Sequence, residues 1–162
     1  MPVSLFTSPP AHLLTCSPAH PMLTYTIHPR FGDSDQLGHI HHLSIPSWFE
    51  EARNPIFKWF NPDFSLSSWN LILARLEMEY VGQVRFADQE VEIRTWISHI
   101  GRASFHISQG AYVRGECVAL GGVVIVYYDY ENRRAVPIPE EIREIMMEHF
   151  DENAPYKMKC GE

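Results

Sequence analysis

Residues 45–60 read Ile45-Pro46-Ser47-Trp48-Phe49-Glu50-Glu51-Ala52-Arg53-Asn54-Pro55-Ile56-Phe57-Lys58-Trp59-Phe60, and their spacing decides the fold. Ile45, Trp48, Phe49, Ala52, Ile56, Trp59 and Phe60 recur at steps of three and four, which sets them on one face of a helix. Glu50, Glu51, Arg53, Asn54 and Lys58 take the other face. Ser47 and Glu50 stand at capping-box spacing, and Pro46 suits a first turn as well. Pro55 has no N–H to donate inside a helix, so it must kink the helix or divide it. A stripe of aromatics this wide needs an apolar surface to lie on, and the rest of the chain supplies one.

Upstream, Leu23, Tyr25 and Ile27 alternate with Thr24, Thr26 and His28, the period of a half-buried strand. Downstream, residues 61–70 read as a loop. Then Ile72, Ala74, Leu76, Met78 and Tyr80 alternate with Arg75, Glu77 and Glu79, and Val91, Ile93, Thr95 and Ile97 with Glu92, Arg94 and Ser98. Phe105, Ile107, Ala111 and Val113 continue the pattern after a turn over residues 99–102. Residues 117–128 are apolar throughout, as in a strand covered on both faces, and Gly121-Gly122 inside it marks a bulge or a close approach of another backbone. After a polar turn at 129–134, Pro137 to Glu141 open a short helix. The order strand, loop, long helix, four strands, helix is an α+β layout: a long central helix wrapped by an antiparallel β-sheet of about five strands.

The chain has 162 residues, with 13 basic and 20 acidic side chains and a net charge of −7. That length suits one domain, drawn over residues 22–150. The first 21 residues hold five prolines and no Lys, Arg, Asp or Glu, and read as a Pro-rich arm; residues 151–162 read as a tail. A 45% hydrophobic content supports a core. The acidic balance disfavours nucleic acid, which needs a basic footprint. No apolar run approaches the ~20 residues of a membrane span. Cys16, Cys117 and Cys160 form no Cys-x-x-Cys pair, which fits a cytoplasmic protein with reduced thiols.

The unusual polar residues are concentrated in Asp33-Ser34-Asp35-Gln36-Leu37-Gly38-His39-Ile40-His41-His42. Three readings of it are open. A carboxylate next to histidines and a helix start suits catalysis, because free N–H groups there stabilise an oxyanion. Asp and neutral His are also metal ligands, and His39-x-His41 on an extended segment points two rings one way. Third, Asp and Ser stabilise turns, with the histidines merely solvated.

With Arg30-Phe31-Gly32 before it and Trp48-Phe49-Glu50-Glu51-Ala52-Arg53 after it, this segment resembles the hot-dog-fold acyl-CoA thioesterases of the 4-hydroxybenzoyl-CoA thioesterase type. Gly101-Arg102-Ala103-Ser104-Phe105 and Val136-Pro137-Ile138-Pro139 extend the resemblance, which covers roughly residues 22–145. It implies a hot-dog fold and hydrolysis of an acyl-CoA, or an acyl-carrier-protein thioester, to free acid and thiol. Asp35 matches the catalytic carboxylate, as nucleophile or general base, with His39 in support. The main-chain N–H of His42 matches the oxyanion donor, and Gly38, Arg102 and Ser104 match substrate-binding positions. Arg85, Arg114, Arg133 and Arg134 are candidates for the CoA phosphates. The resemblance implies no metal, no cofactor, and a homodimer or dimer-based higher oligomer sharing each site between subunits. The family's Asn-Asn pair is His41-His42 here, which leaves open a substitute hydrogen-bonding arrangement. A hot-dog dehydratase or hydratase using His39, or a noncatalytic thioester-binding module, are the competing functions. Asp33 is expected to stabilise the loop and, if close to Asp35, to raise one carboxyl pKa.

Overall fold

The computed structural model describes residues 22–158, so the Pro-rich arm, Cys16 and Cys160 lie outside the described residues. Elements follow in the order β1 (Leu23–Ile27), α1 (Ser44–Ala52), α2 (Asn54–Phe60), β2 (Leu71–Tyr80), β3 (Val91–Ile100), β4 (Ser104–Val113), β5 (Glu116–Asp129), β6 (Arg134–Ala135) and α3 (Glu140–Glu148). Five strands make one antiparallel sheet in the order β1-β3-β4-β5-β2, with the two-residue β6 on β5. This is the expected hot-dog layout, a curled sheet around a helix.

The central helix is divided, and Arg53 is the joint. Pro55 lies in the first turn of α2, where its missing N–H costs nothing, so the break falls two residues before it. No capping box forms at Ser47. The helix starts at Ser44, with Leu43 as its N-cap and no side chain capping it. The first half of the stripe behaves as read: Ile45, Trp48, Phe49 and Ala52 bury against Val91, Ile93, Ala111 and Ala119. Past the joint the faces shift: Phe57 is buried while Trp59 is half-buried, and Arg53, read on the polar face, is only 3% exposed. Ile56, Phe57 and Phe60 bury against Ile97, Phe105, Ile107 and Val123. Each such side chain is worth roughly 1.5–3 kcal/mol relative to exposure.

Strand β2 is bonded on one side only, to β5, and so forms an edge. Its register slips between Leu73 and Arg75. The strict alternation expected from Ile72 to Tyr80 is therefore broken: Leu73 pairs with buried Ile125 and Leu76 with buried Val123, so the face changes phase between them, and at this edge Leu73, Leu76 and Tyr80 stay 52%, 43% and 41% exposed. An extra residue in a strand reverses which side chains face the core beyond it.

The paired glycines mark close approaches. A Cβ on Gly121 would meet the Met78 sulfur at 2.5 Å and the Glu77 carbonyl at 2.7 Å. One on Gly122 would meet Met158 at 2.9 Å and Tyr156 at 3.0 Å. Those contacts reveal what covers the other side of β5. Residues 151–158, read from sequence as a tail, run as a strap across the face of the sheet opposite α1. The Asp151 N–H donates to the Ile97 carbonyl, and the Tyr156 N–H to the Ser108 hydroxyl at 3.0 Å. The Tyr156 hydroxyl then reaches Glu77 on β2 at 3.0 Å, while Ala154 packs on Trp96 and Tyr112. Cys117 is half-buried beside this cluster, and burial pushes its thiol pKa up, as expected of a core thiol. No helix among the described residues is long and apolar enough to cross a membrane.

Candidate active site

Residues 33–41 form a miniature hairpin. The His41 N–H donates to the Asp33 carbonyl at 2.8 Å, Ser34 bridges Ile40, and the Asp35 N–H donates to the His39 carbonyl at 2.7 Å. At its tip, Oδ1 of Asp35 accepts the N–H groups of Leu37 (2.8 Å) and His39 (3.0 Å). Gly38 turns the chain with φ of +77°, a conformation that side chains disfavour. Its role is therefore to shape the turn that aims Asp35. Oδ2 of Asp35 receives no hydrogen bond among the described residues. Desolvation raises the Asp35 pKa, but the two N–H groups and the neighbouring His39 and His41 outweigh it and hold the carboxyl below its ordinary value.

The first carboxylate has a different task. Asp33 is buried, and its oxygens accept from the Arg30 N–H at 2.8 Å and from the Arg30 guanidinium at 3.3 Å. Desolvation again works upward, and Arg30 overcomes it, so the Asp33 pKa is lowered too. The expected upward push on one of the pair therefore does not occur, because Asp33 is engaged by its own arginine. It is, as expected, a loop-stabilising group.

The same turn occurs twice. Arg85-Phe86-Ala87-Asp88 repeats the order Arg30-Phe31-Gly32-Asp33, and the Arg85 N–H donates to Asp88 at 2.7 Å just as Arg30 does to Asp33. The two exposed phenylalanine rings meet edge to face, 6.2 Å between centroids. Residue 39 bridges residue 85, and the N–H groups of Ile40 and Phe86 donate to Val84 and Gly38 across the gap. The segment between β2 and β3 is thus the wall that holds the Asp35 hairpin.

At the start of α1, main-chain donors are almost all engaged. The N–H of His41 is held by Asp33, that of Ser44 by the His41 carbonyl at 2.9 Å, and that of Leu43 by Nδ1 of His41 at 3.2 Å. Of the four from His41 to Ser44, only the His42 N–H has no partner among the described residues. The His41 ring therefore caps the turn, a substitute arrangement for an amide side chain, and its centroid lies 4.3 Å from that of the His42 ring. The His42 carbonyl accepts from the Tyr80 hydroxyl at 2.5 Å. The His39 ring is half-buried and makes no hydrogen bond among the described residues. No group of three or more His, Cys, Asp or Glu side chains there is arranged to hold a metal.

Arg102 and Ser104 are not brought to Asp35 within one chain. They lie by the turn after β3, whose ten residues span about 30 Å from the end that pairs with β1. Arg102 lines a separate cleft of about 400 Å³ with Ile138 and Arg143. Among the other arginines, Arg85 flanks the hairpin, Arg114 pairs with Asp88 at 3.4 Å, and Arg133 and Arg134 sit beyond β5. Two features escaped the sequence reading. Tyr80 carried no local signal, whereas the repeated Arg-Phe-x-Asp word was visible and marked the opposite wall.

A helix on a curled antiparallel sheet, with an Asp-x-Asp hairpin opening into the helix start, is the layout of the hot-dog fold. The sequence matches the thioesterase-like superfamily over residues 29–146, and the chain belongs to that family. It is 36% identical to a predicted thioesterase from Bacillus stearothermophilus, covering 82% of this chain and 98% of that one, with a TM-score of 0.78. A thioesterase from Thermus thermophilus, complexed with coenzyme A and Zn, is 31% identical over 78% of this chain and 92% of its own, with a TM-score of 0.68. The uncharacterized protein YsmA of Bacillus subtilis (strain 168) is 28% identical over 119 residues, 73% of this chain and 80% of that protein. Family membership supports thioester hydrolysis as the activity.

Proposed function

We propose that this chain hydrolyses acyl-CoA thioesters in the cytoplasm, with Asp35 as nucleophile and the His42 main-chain N–H as oxyanion donor. The observation that carries this reading is the unengaged His42 N–H, three neighbours of which are tied up, directly after the hairpin that holds an ionised carboxylate with one free oxygen. The Asp35 oxygen adds to the thioester carbonyl, whose oxygen draws on the His42 N–H as it becomes negative. The C–S bond breaks, leaving an acyl–Asp35 anhydride and a thiolate. Water adds to the anhydride, restores the carboxylate, and its second proton goes to the thiolate. A carboxyl held below its ordinary pKa favours this route over general-base catalysis, which works best with a pKa near the working pH. His39 stands next to the attacking group as a proton-handling side chain.

The complex of the Thermus relative with coenzyme A supports a CoA thioester as the substrate. Asp35 is exposed in the single chain, and β2 offers an unpaired edge with exposed leucines ending at Tyr80. Pairing two copies along β2 would supply a second wall beside His42, so the working unit in this reading is a homodimer. Arg102 and Ser104 would then reach substrate only from the partner subunit.

Asp35→Asn tests the assignment cleanly, because an amide oxygen still accepts the Leu37 and His39 N–H groups and keeps the turn. Thiol release is followed across a panel of acyl-CoAs. A loss of at least about 100-fold in kcat is expected. An unchanged rate would remove Asp35 from the chemistry.

A further inference from the structure

Tyr80 is the last residue of β2, and its hydroxyl is the only side-chain donor among the described residues on the His42 carbonyl. Residue 42 is flanked by two peptide groups. The one on its N-terminal side carries the unengaged N–H, and its oxygen, that of His41, accepts from Ser44. The one on its C-terminal side carries the carbonyl that accepts from Tyr80, and its N–H, that of Leu43, leans on the His41 ring at the longer distance of 3.2 Å. His42 and Leu43 are themselves exposed, and beyond the His41–His42 ring contact the Tyr80 bond is the side-chain hold on this second peptide's oxygen. Burial raises the pKa of the Tyr80 phenol, which keeps the hydroxyl a donor at neutral pH.

We propose that Tyr80 is a positioning residue for the oxyanion donor: its bond to the His42 carbonyl fixes the backbone of residue 42 and so aims the His42 N–H. This rests on the thioesterase reading above and extends it to a residue outside the Asp-x-Asp hairpin. A donor that acts only on the developing oxyanion contributes to the transition state and little to ground-state binding. Misaiming it lowers kcat and leaves KM nearly unchanged.

The test is Tyr80→Phe, which removes one oxygen and keeps the ring. Expected is a fall in kcat of about 10- to 100-fold with KM held within about 2-fold. Amide exchange by NMR gives a second readout: the Leu43 N–H should exchange at least about 10-fold faster in Tyr80→Phe. Unchanged Leu43 exchange overturns the proposal whatever happens to kcat, as does an unaltered kcat or a loss confined to KM. If the parent protein releases no thiol from any acyl-CoA, the thioesterase reading falls, and Leu43 exchange alone decides the role of Tyr80.

Discussion

Arg53 donates a 2.8 Å hydrogen bond to the side-chain oxygen of Gln109, beneath the joint between α1 and α2. Gln109 is fully buried, and its nitrogen donates to the Phe49 carbonyl at 2.9 Å and to the Thr95 hydroxyl at 3.0 Å. One amide thus ties α1 and the helix joint to β3 and β4. Burial pulls the Arg53 pKa down to about 10, against a weaker upward pull from Glu50, so the side chain still carries a charge at neutral pH. Its Nε has no partner among the described residues.

Gln109→Leu would leave that guanidinium without its acceptor. A loss of about 3 kcal/mol in unfolding free energy is expected, measured by denaturant titration. Arg53→Met combined with Gln109→Leu should recover most of it, since replacing both partners removes the stranded charge. A double variant no more stable than Gln109→Leu alone would contradict this account.

Gly38→Ala separates turn strain from packing, because nothing lies within 4 Å of a Cβ placed there. Its cost is conformational, about 1–2 kcal/mol, and kcat should fall because the turn aims Asp35. Gly115→Ala, at φ of +84° in equally open space, should show a similar stability loss and an unaltered kcat. Equal kcat in the two variants would deny the turn its role.

Asp33 sets an acid limit. Its folded pKa lies below the ordinary carboxylate value, so the unfolded chain binds more protons and stability rises with pH in that window. The stabilisation is present above about pH 4 and is lost as pH falls through the folded pKa. Thermal melts from pH 7 to pH 2 should fall less steeply at the acid end for Asp33→Asn than for the parent. Parallel curves would remove Asp33 from the acid response.

The adjacent glycines of β5 should respond differently. Gly121→Ala drives a methyl into the Glu77 carbonyl and pushes β2 from β5, so global stability should fall by about 3 kcal/mol. Gly122→Ala presses mainly on Met158 and Tyr156 and should lift the strap first. Limited proteolysis would then cut within residues 151–158 while the sheet stays folded. Identical melting and cleavage behaviour for the two variants would refute the distinction.

Periodicity made the sheet and the helical stripe legible, because steps of two and of three to four reflect which side chains the backbone sends inward. It failed where a neighbour decides the matter. The exposure of Leu76 and Tyr80 follows from an edge position, which the local pattern does not encode, and the slipped register upstream of them is equally invisible to it. The strap was opaque for the same reason: residues 151–158 are polar and Pro-containing, and only Gly122 opposite them hinted at a cover. In the candidate site, Asp35 and Gly38 share one short hairpin and His42 directly follows it, so the local sequence alone sets them side by side. Tyr80 reaches that hairpin through the fold alone, and Arg102 and Ser104 lie at the far end of β3.

The repeated turns also bear on the order in which the site assembles. The Arg30–Asp33 and Arg85–Asp88 turns and the Asp35 hairpin each close within a few residues, a step that takes microseconds or less and needs no distant contact. Tyr80, which ends β2, and Val84 and Phe86, which follow it, hold the hairpin in place, and the partner of β2, β5, lies tens of residues away along the chain. Long-range pairing of that kind is the slow part of folding. The turns of the candidate site therefore form early, and the walls that hold them are complete only when β5 has arrived.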